Sequence, residues 1–211
     1  MARFILVALL LLLPGFVAGQ DTASAEVPQS RLQWDAAHGV ELSWRDSAGH
    51  SKDLAGPDRI ALIHAIKAKL RPRMADMNIS TEKELTRVAA DTRIKLVDLD
   101  GDGTAEVIAQ SMGMETCGGT GNCIFWVFKK TPNGYSCVLD SVSQSFVVEG
   151  LRSSGFFDVT LAVHDSASEK HLYVYRFSAG KYREAGCFDA DWIPNIVGPA
   201  LKRPVITKCK R

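Results

Sequence analysis

Arg93-Ile94-Lys95-Leu96-Val97-Asp98-Leu99-Asp100-Gly101-Asp102-Gly103-Thr104-Ala105-Glu106-Val107-Ile108-Ala109 is the stretch from which the chain is read. Polar and apolar residues alternate over 93–97, the period of a half-buried strand, and 107–109 is a short apolar run. Between them acids stand at positions one, three, five and nine of a nine-residue loop, with glycines at four and six. Four carboxylates so close repel one another unless a cation lies among them. Hard cations such as Ca²⁺ take six to eight oxygens, and glycine allows the left-handed turns that fold such a loop onto its ion. The stretch is thus a strand, an ion-binding loop and a strand, which places the chain on the β side of fold space.

The expected ligands are the side chains of Asp98, Asp100, Asp102 and Glu106 and the backbone carbonyl of Thr104. Mg²⁺ suits the loop less well, because it demands stricter octahedral geometry and keeps its waters. An EF-hand would need its bidentate glutamate at position twelve, where this chain has Ala109. The competing interpretation is an Asp-Gly turn whose acids simply face water.

The loop resembles the calcium loops of FG-GAP and VCBS repeats, known from integrin β-propellers and many secreted bacterial proteins. Cys117-Gly118-Gly119-Thr120-Gly121-Asn122-Cys123 and Ile124-Phe125-Trp126-Val127-Phe128 extend the likeness to a group of periplasmic proteins of this kind. The likeness covers residues 94–185, under half of the chain. It implies a structural calcium ion rather than a catalytic one.

A weak internal repeat accompanies the loop. Asp102-Gly103-Thr104-Ala105-Glu106-Val107 matches Ser154-Gly155-Phe156-Phe157-Asp158-Val159 in outline, and an aromatic-rich hairpin follows each. In the second copy Gly150, Arg152 and Ser154 replace the first three acids, so its ion chemistry is gone. Two blade-like units cannot close a propeller of four or more blades. The expected fold is therefore α+β: an antiparallel sheet or sandwich of two blade-like units, with an N-terminal hairpin and two helices.

Upstream, Arg3 and the apolar run 4–13 form the head of a secretory signal peptide over 1–25, its core too short for the roughly twenty residues of a membrane span. The expected units are that signal, an N-terminal hairpin and helices over 26–92, and a calcium-loop β domain over 93–211. The last two are read as one folded body. Leu32, Trp34, Val40, Leu42 and Trp44 alternate as a hairpin would. A helix is expected from Pro57 to Pro72 with Ile60, Ile63, Ile66 and Leu70 on its buried face, and a second from Thr81 to about Ala90, opened by the capping-box residues Thr81 and Glu84. Further strands are expected over 124–129, 135–140, 143–149, 157–164, 171–177 and 181–185, with turns at Asn133-Gly134 and Ala179-Gly180.

The 25 basic residues against 24 acids give no electrostatic case for nucleic acid or membrane surface as a partner, and no insertion into the membrane is expected after signal cleavage. Five cysteines after an export signal read as disulfides, Cys117 with Cys123 and Cys187 with Cys209, leaving Cys137 over; four paired cysteines still allow three connectivities. Zinc is disfavoured by the absence of Cys-x-x-Cys and by scattered histidines. No nucleophile elbow, phosphate-binding loop or His-Glu-x-x-His is present. Asp189 and Asp191 read as acids near a turn, and the glycines of 118–122 as a small-anion nest beside the metal loop or, more simply, a disulfide-pinned turn. The functional expectation is a periplasmic or secreted, non-catalytic calcium-binding protein that docks a protein or a glycan. The alternatives are a metal-assisted hydrolase and an inhibitor of a cell-wall hydrolase.

Overall fold

A computed structural model of the chain describes residues 46–193, 201 and 204–210. The expected signal peptide and the hairpin around Trp34 and Trp44 lie outside the described residues. The described chain is α+β, with two antiparallel sheets and two α-helices. The first sheet holds β1 (Asp46–Ser47), β2 (Arg93–Val97), β3 (Glu106–Gln110), β4 (Cys123–Thr131) and β5 (Gly134–Ser143), adjacent in that order. The second holds β6 (Ser145–Ser153), β7 (Phe156–His164), β8 (Glu169–Ser178), β9 (Lys181–Asp191) and β10 (Val205–Lys208), likewise in sequence order. Each sheet contains one copy of the repeat, so β2–β5 and β6–β9 are equivalent meanders. Two of the three hairpin turns of the second copy use left-handed residues, Ser154-Gly155 at φ 47° and 87° and Ala179-Gly180 at φ 47° and 80°. That twist matches the strands they join.

The layers follow from pleat alternation. Val107, Ala109, Ile124, Trp126 and Phe128 face one way, onto Leu62, Ile66, Leu70, Leu85 and Val88 of helices α1 (Gly56–Leu70) and α2 (Glu82–Asp91). Ile108, Phe125 and Val127 face the other way, onto Phe146, Val159 and Leu161 of the second sheet. The middle of the first sheet, β3 and the body of β4, is thus buried on both faces between helices and sheet, and all five residues of β3 are buried, polar ends included. Each large apolar side chain removed from water here contributes about 1.5–3 kcal/mol before entropy is counted. The chain changes sheet at Ser143–Ser145, where the Gln110 side-chain amide donates to the Ser143 carbonyl (2.7 Å) and the Ser143 hydroxyl to the Ala162 carbonyl (3.2 Å).

Helix α1 buries Leu62, Ile66 and Leu70, an i, i+4, i+8 row, and leaves Ile60 63% exposed. The expected face was therefore rotated: Ile66 and Leu70 belong to it, Ile63 packs at its edge, and Ile60 does not. After Leu70 the chain tightens into a 3₁₀ turn over Arg71–Arg73 that accommodates Pro72 in its first turn. In α2 the Glu84 N–H donates to Thr81 Oγ1 (3.1 Å), while Glu84 Oε2 accepts from Ser80 N–H (3.0 Å). The return bond reaches one residue further back than a capping box requires. Thr81→Ala is expected to lower stability by about 1 kcal/mol, read as an earlier urea midpoint at unchanged slope.

Candidate metal loop and an acidic cleft

Loop 98–106 joins β2 to β3, which pair from Arg93–Gln110 to Val97–Glu106. Its own carboxylates wind it. Asp98 accepts N–H bonds from Gly101 (2.7 Å) and Gly103 (3.1 Å), Asp100 from Asp102 (3.1 Å), and Asp102 from Thr104 (2.7 Å). Gly101 and Gly103 sit at φ 75° and 85°, conformations that side chains resist. Gly101 has a second reason to lack a side chain, since an added Cβ would lie 2.9 Å from the Arg152 guanidinium. Arg152 donates from Nη1 to the carbonyls of Asp100 (2.8 Å) and Gly155 (2.9 Å) and stacks over Phe157 at 3.9 Å. A residue at a lost acid position of the second copy therefore braces the loop of the first.

Glu106 closes the loop from inside. It is 1% exposed, and its Oε2 accepts from Leu99 N–H at 2.9 Å. Oxygens of Asp98, Asp100 and Glu106 lie within 4.8 Å of one another. The loop's remaining oxygens turn to Lys129 on β4: its ammonium pairs with Asp100 Oδ2 and lies 3.5 Å from Glu106 Oε1 and 3.6 Å from Asp102 Oδ2. It also sits 4.8 Å from the centre of the Phe156 ring. Burial pushes the Glu106 carboxyl above the ordinary carboxylate range; the Leu99 amide pulls it back, Asp100 adds to the rise, and Lys129 opposes it. Burial works against the Lys129 ammonium, yet Asp100, Glu106 and Asp102 outweigh it and hold its pKa above the usual lysine value.

The second copy repeats this pairing without the loop. Asp158, in the place of Glu106, meets Arg176 Nε of β8 at 3.3 Å and is 4% exposed at its side chain. Val107 pairs with Phe128 in one ladder and Val159 with Tyr175 in the other, so Lys129 and Arg176 hold equivalent positions. Neither cation was picked out in the sequence, because only the ladder register brings it to the acid.

The disulfides Cys117–Cys123 and Cys187–Cys209 form as expected. Cys137 stays a thiol on β5, pushed up to about 11 by burial. Residues 118–122 do not adjoin the metal loop, which meets the Glu106 end of β3 while the disulfide turn follows its Gln110 end. The turn closes on itself through Gly118 N–H to Asn122 carbonyl and Gly121 N–H to Gly118 carbonyl (both 2.9 Å), and Asn122 is tied to the His164 backbone by two 2.8 Å bonds. The Gly118 and Gly121 amides are thus engaged within the turn itself, which favours the disulfide-pinned turn over an anion nest.

A cleft of about 750 Å³ opens beside β8, β9 and β10. Asp189 and Asp191 line it from within β9, which runs six residues past the expected end at 185. The signal was present in Cys187-Phe188-Asp189-Ala190-Asp191, where Phe188 and Ala190 alternate with the cleft-facing residues. His171 Nδ1 stands 2.7 Å from Asp189 Oδ1, and Nε2 stands 3.8 Å from Asp165 Oδ2.

Compared with protein-family models, curated proteins and solved structures, the chain has no match. Among the described residues no helix is long and apolar enough to cross a membrane, and two disulfides fit an oxidising compartment.

Proposed function

We propose that this is an exported, non-catalytic calcium-binding β protein, periplasmic or secreted, whose loop 98–106 takes a structural Ca²⁺ that pins β2 to β3. The observation that carries this reading is the convergence of Asp100, Asp102 and Glu106 on one cation, the Lys129 ammonium. Carboxylate oxygens alone as donors match the preference of Ca²⁺. Lys129 is then an internal competitor that the ion displaces, and the affinity is lower than the acids alone would give. The loop's contacts are backbone amides, Arg152 and Lys129, with no histidine among the groups described above, which favours a structural ion over a metal-assisted hydrolase. The function served is display of a β surface to a protein or glycan partner, tested by comparing retention of exported proteins and cell-wall glycans in calcium and in chelator.

Lys129→Gln is the direct experiment. Removing the competing charge is expected to raise Ca²⁺ affinity roughly tenfold, equivalent to about 1.4 kcal/mol, by isothermal titration. Lys129's three acidic contacts also favour a second reading, in which the ammonium is the loop's permanent counter-ion. In that case neither wild type nor Lys129→Gln binds Ca²⁺ at millimolar concentration, and the calcium reading fails.

A further inference from the structure

Three adjacent strands of the second sheet bring four metal-binding side chains to one face. Cys187 and Asp189, two apart on β9, point the same way. His171 of β8 lies directly across the ladder from Asp189. Cys209 follows β10, and its N–H donates to the Cys187 carbonyl at 3.1 Å. Cys209 Sγ lies 3.2 Å from the same Asp189 oxygen that meets His171 Nδ1 at 2.7 Å. Ligand atoms of His171, Asp189 and Cys209 all fall within 4.8 Å of one another, and Cys187 Sγ is bonded to Cys209 Sγ. The cleft they share also carries Asp165, Glu169, Glu184 and Asp191 against Lys170 and Lys210. Such a wall concentrates cations. With the disulfide closed, however, neither sulfur is a thiolate, the form that binds metal.

We propose that reduction of Cys187–Cys209 turns this cleft into a Cys₂-His-Asp site for a divalent cation of the zinc class. The electrons come from a dithiol: one of its thiolates attacks a sulfur of the pair, its second resolves the mixed disulfide, and it leaves as its own disulfide while Cys187 and Cys209 become thiols. Metal binding then releases one proton from each thiol to solvent. Two thiolates, an imidazole and a carboxylate form a tetrahedral zinc-type donor set, too soft for Ca²⁺ or Mg²⁺. With metal on Nδ1, the imidazole proton resides on Nε2, which faces Asp165 and gains an orienting carboxylate. The strand β10, held to β9 by a covalent bond in the oxidised chain, is held by the ion in the reduced one. The inference is independent of the calcium reading, because it uses different residues and a different donor class.

The test is a Co²⁺ titration of the Cys137→Ser protein, anaerobic, before and after a phosphine reductant, with circular dichroism to follow the fold. The reduced, folded protein is expected to take one equivalent with sulfur-to-cobalt charge-transfer bands that Zn²⁺ abolishes; the oxidised protein is expected to show none. His171→Ala and Asp189→Asn should each weaken binding more than tenfold, since loss of outer-shell partners alone costs about 10–100-fold. Cys117→Ser/Cys123→Ser should leave it unchanged. The proposal is overturned by sulfur bands that survive Cys187→Ser/Cys209→Ser, by affinity indifferent to both His171→Ala and Asp189→Asn, or by a reduced protein that unfolds or stays folded without taking up Co²⁺.

Discussion

Trp126→Ala is expected to destabilise the protein by about 3–5 kcal/mol, the cost of emptying a large aromatic site in a packed core. Trp126 is fully buried on β4, on the face that meets α1 and α2, with Phe128 beside it at 6.3 Å between ring centres. Helices and sheet are held at that spacing by many other contacts, so the site cannot collapse and the void persists. For a domain of this size the melting temperature should fall by roughly 6–20 °C, since each kcal/mol moves it by about 2–4 °C. Native stabilities are only about 5–15 kcal/mol, so the variant should be folded but visibly weakened. Ile60→Ala serves as the comparison: with 63% of its surface already in water, it should change stability by less than about 0.5 kcal/mol. Equal losses from Trp126→Ala and Ile60→Ala in urea unfolding would contradict the layered packing.

The apolar run 124–128 is the sequence feature behind the burial of β4 on both faces, although the sequence reading takes it only as part of an aromatic-rich hairpin. It did not tell which layer lies on which face, because helix-facing and sheet-facing positions have the same composition. The strands of both repeat copies were legible from alternation and turn residues. The four-residue β10 was not, as Val205–Lys208 has only short, mixed polarity to show. The acids of the loop were legible because glycine spacing constrains them locally. Lys129 was not, for it is 23 residues from Glu106 and becomes a neighbour only through the pairing of Val107 with Phe128. His171 and Asp189 are hidden in the same way: 18 residues apart in sequence, they face each other in the β8–β9 ladder. Sequence spacing showed no such grouping because it reads contacts along the chain, whereas His171, Cys187, Asp189 and Cys209 are gathered across three strands.

Glu106→Gln is expected to shift stability in opposite directions with and without calcium. In chelator, the buried Glu106 carboxyl has a folded-state pKa above its unfolded one, burial being the larger influence and the Leu99 amide and Lys129 only partly offsetting it. Such a group binds its proton more tightly when folded. Its stabilising share is complete below the unfolded pKa, about 4.3, and is lost as pH rises through the folded value. At neutral pH the ionised carboxylate therefore works against the fold. Glutamine still offers an oxygen to Leu99 N–H but carries no charge, so the chelated variant should melt above wild type by a few degrees, equivalent to about 1 kcal/mol. The advantage should fade as acid protonates the wild-type residue. With Ca²⁺ present the order reverses, because the closing carboxylate is the most buried of the loop's ligands. Wild type at a hundredfold excess over Kd gains about 2.7 kcal/mol by mass action, and the variant should lose most of that gain. Calorimetry at pH 7 in chelator and in calcium reads both signs in one experiment. A chelated variant less stable than wild type would show that the Lys129 pairing outweighs burial, and an equal calcium increment in both proteins would remove Glu106 from the ion's ligands.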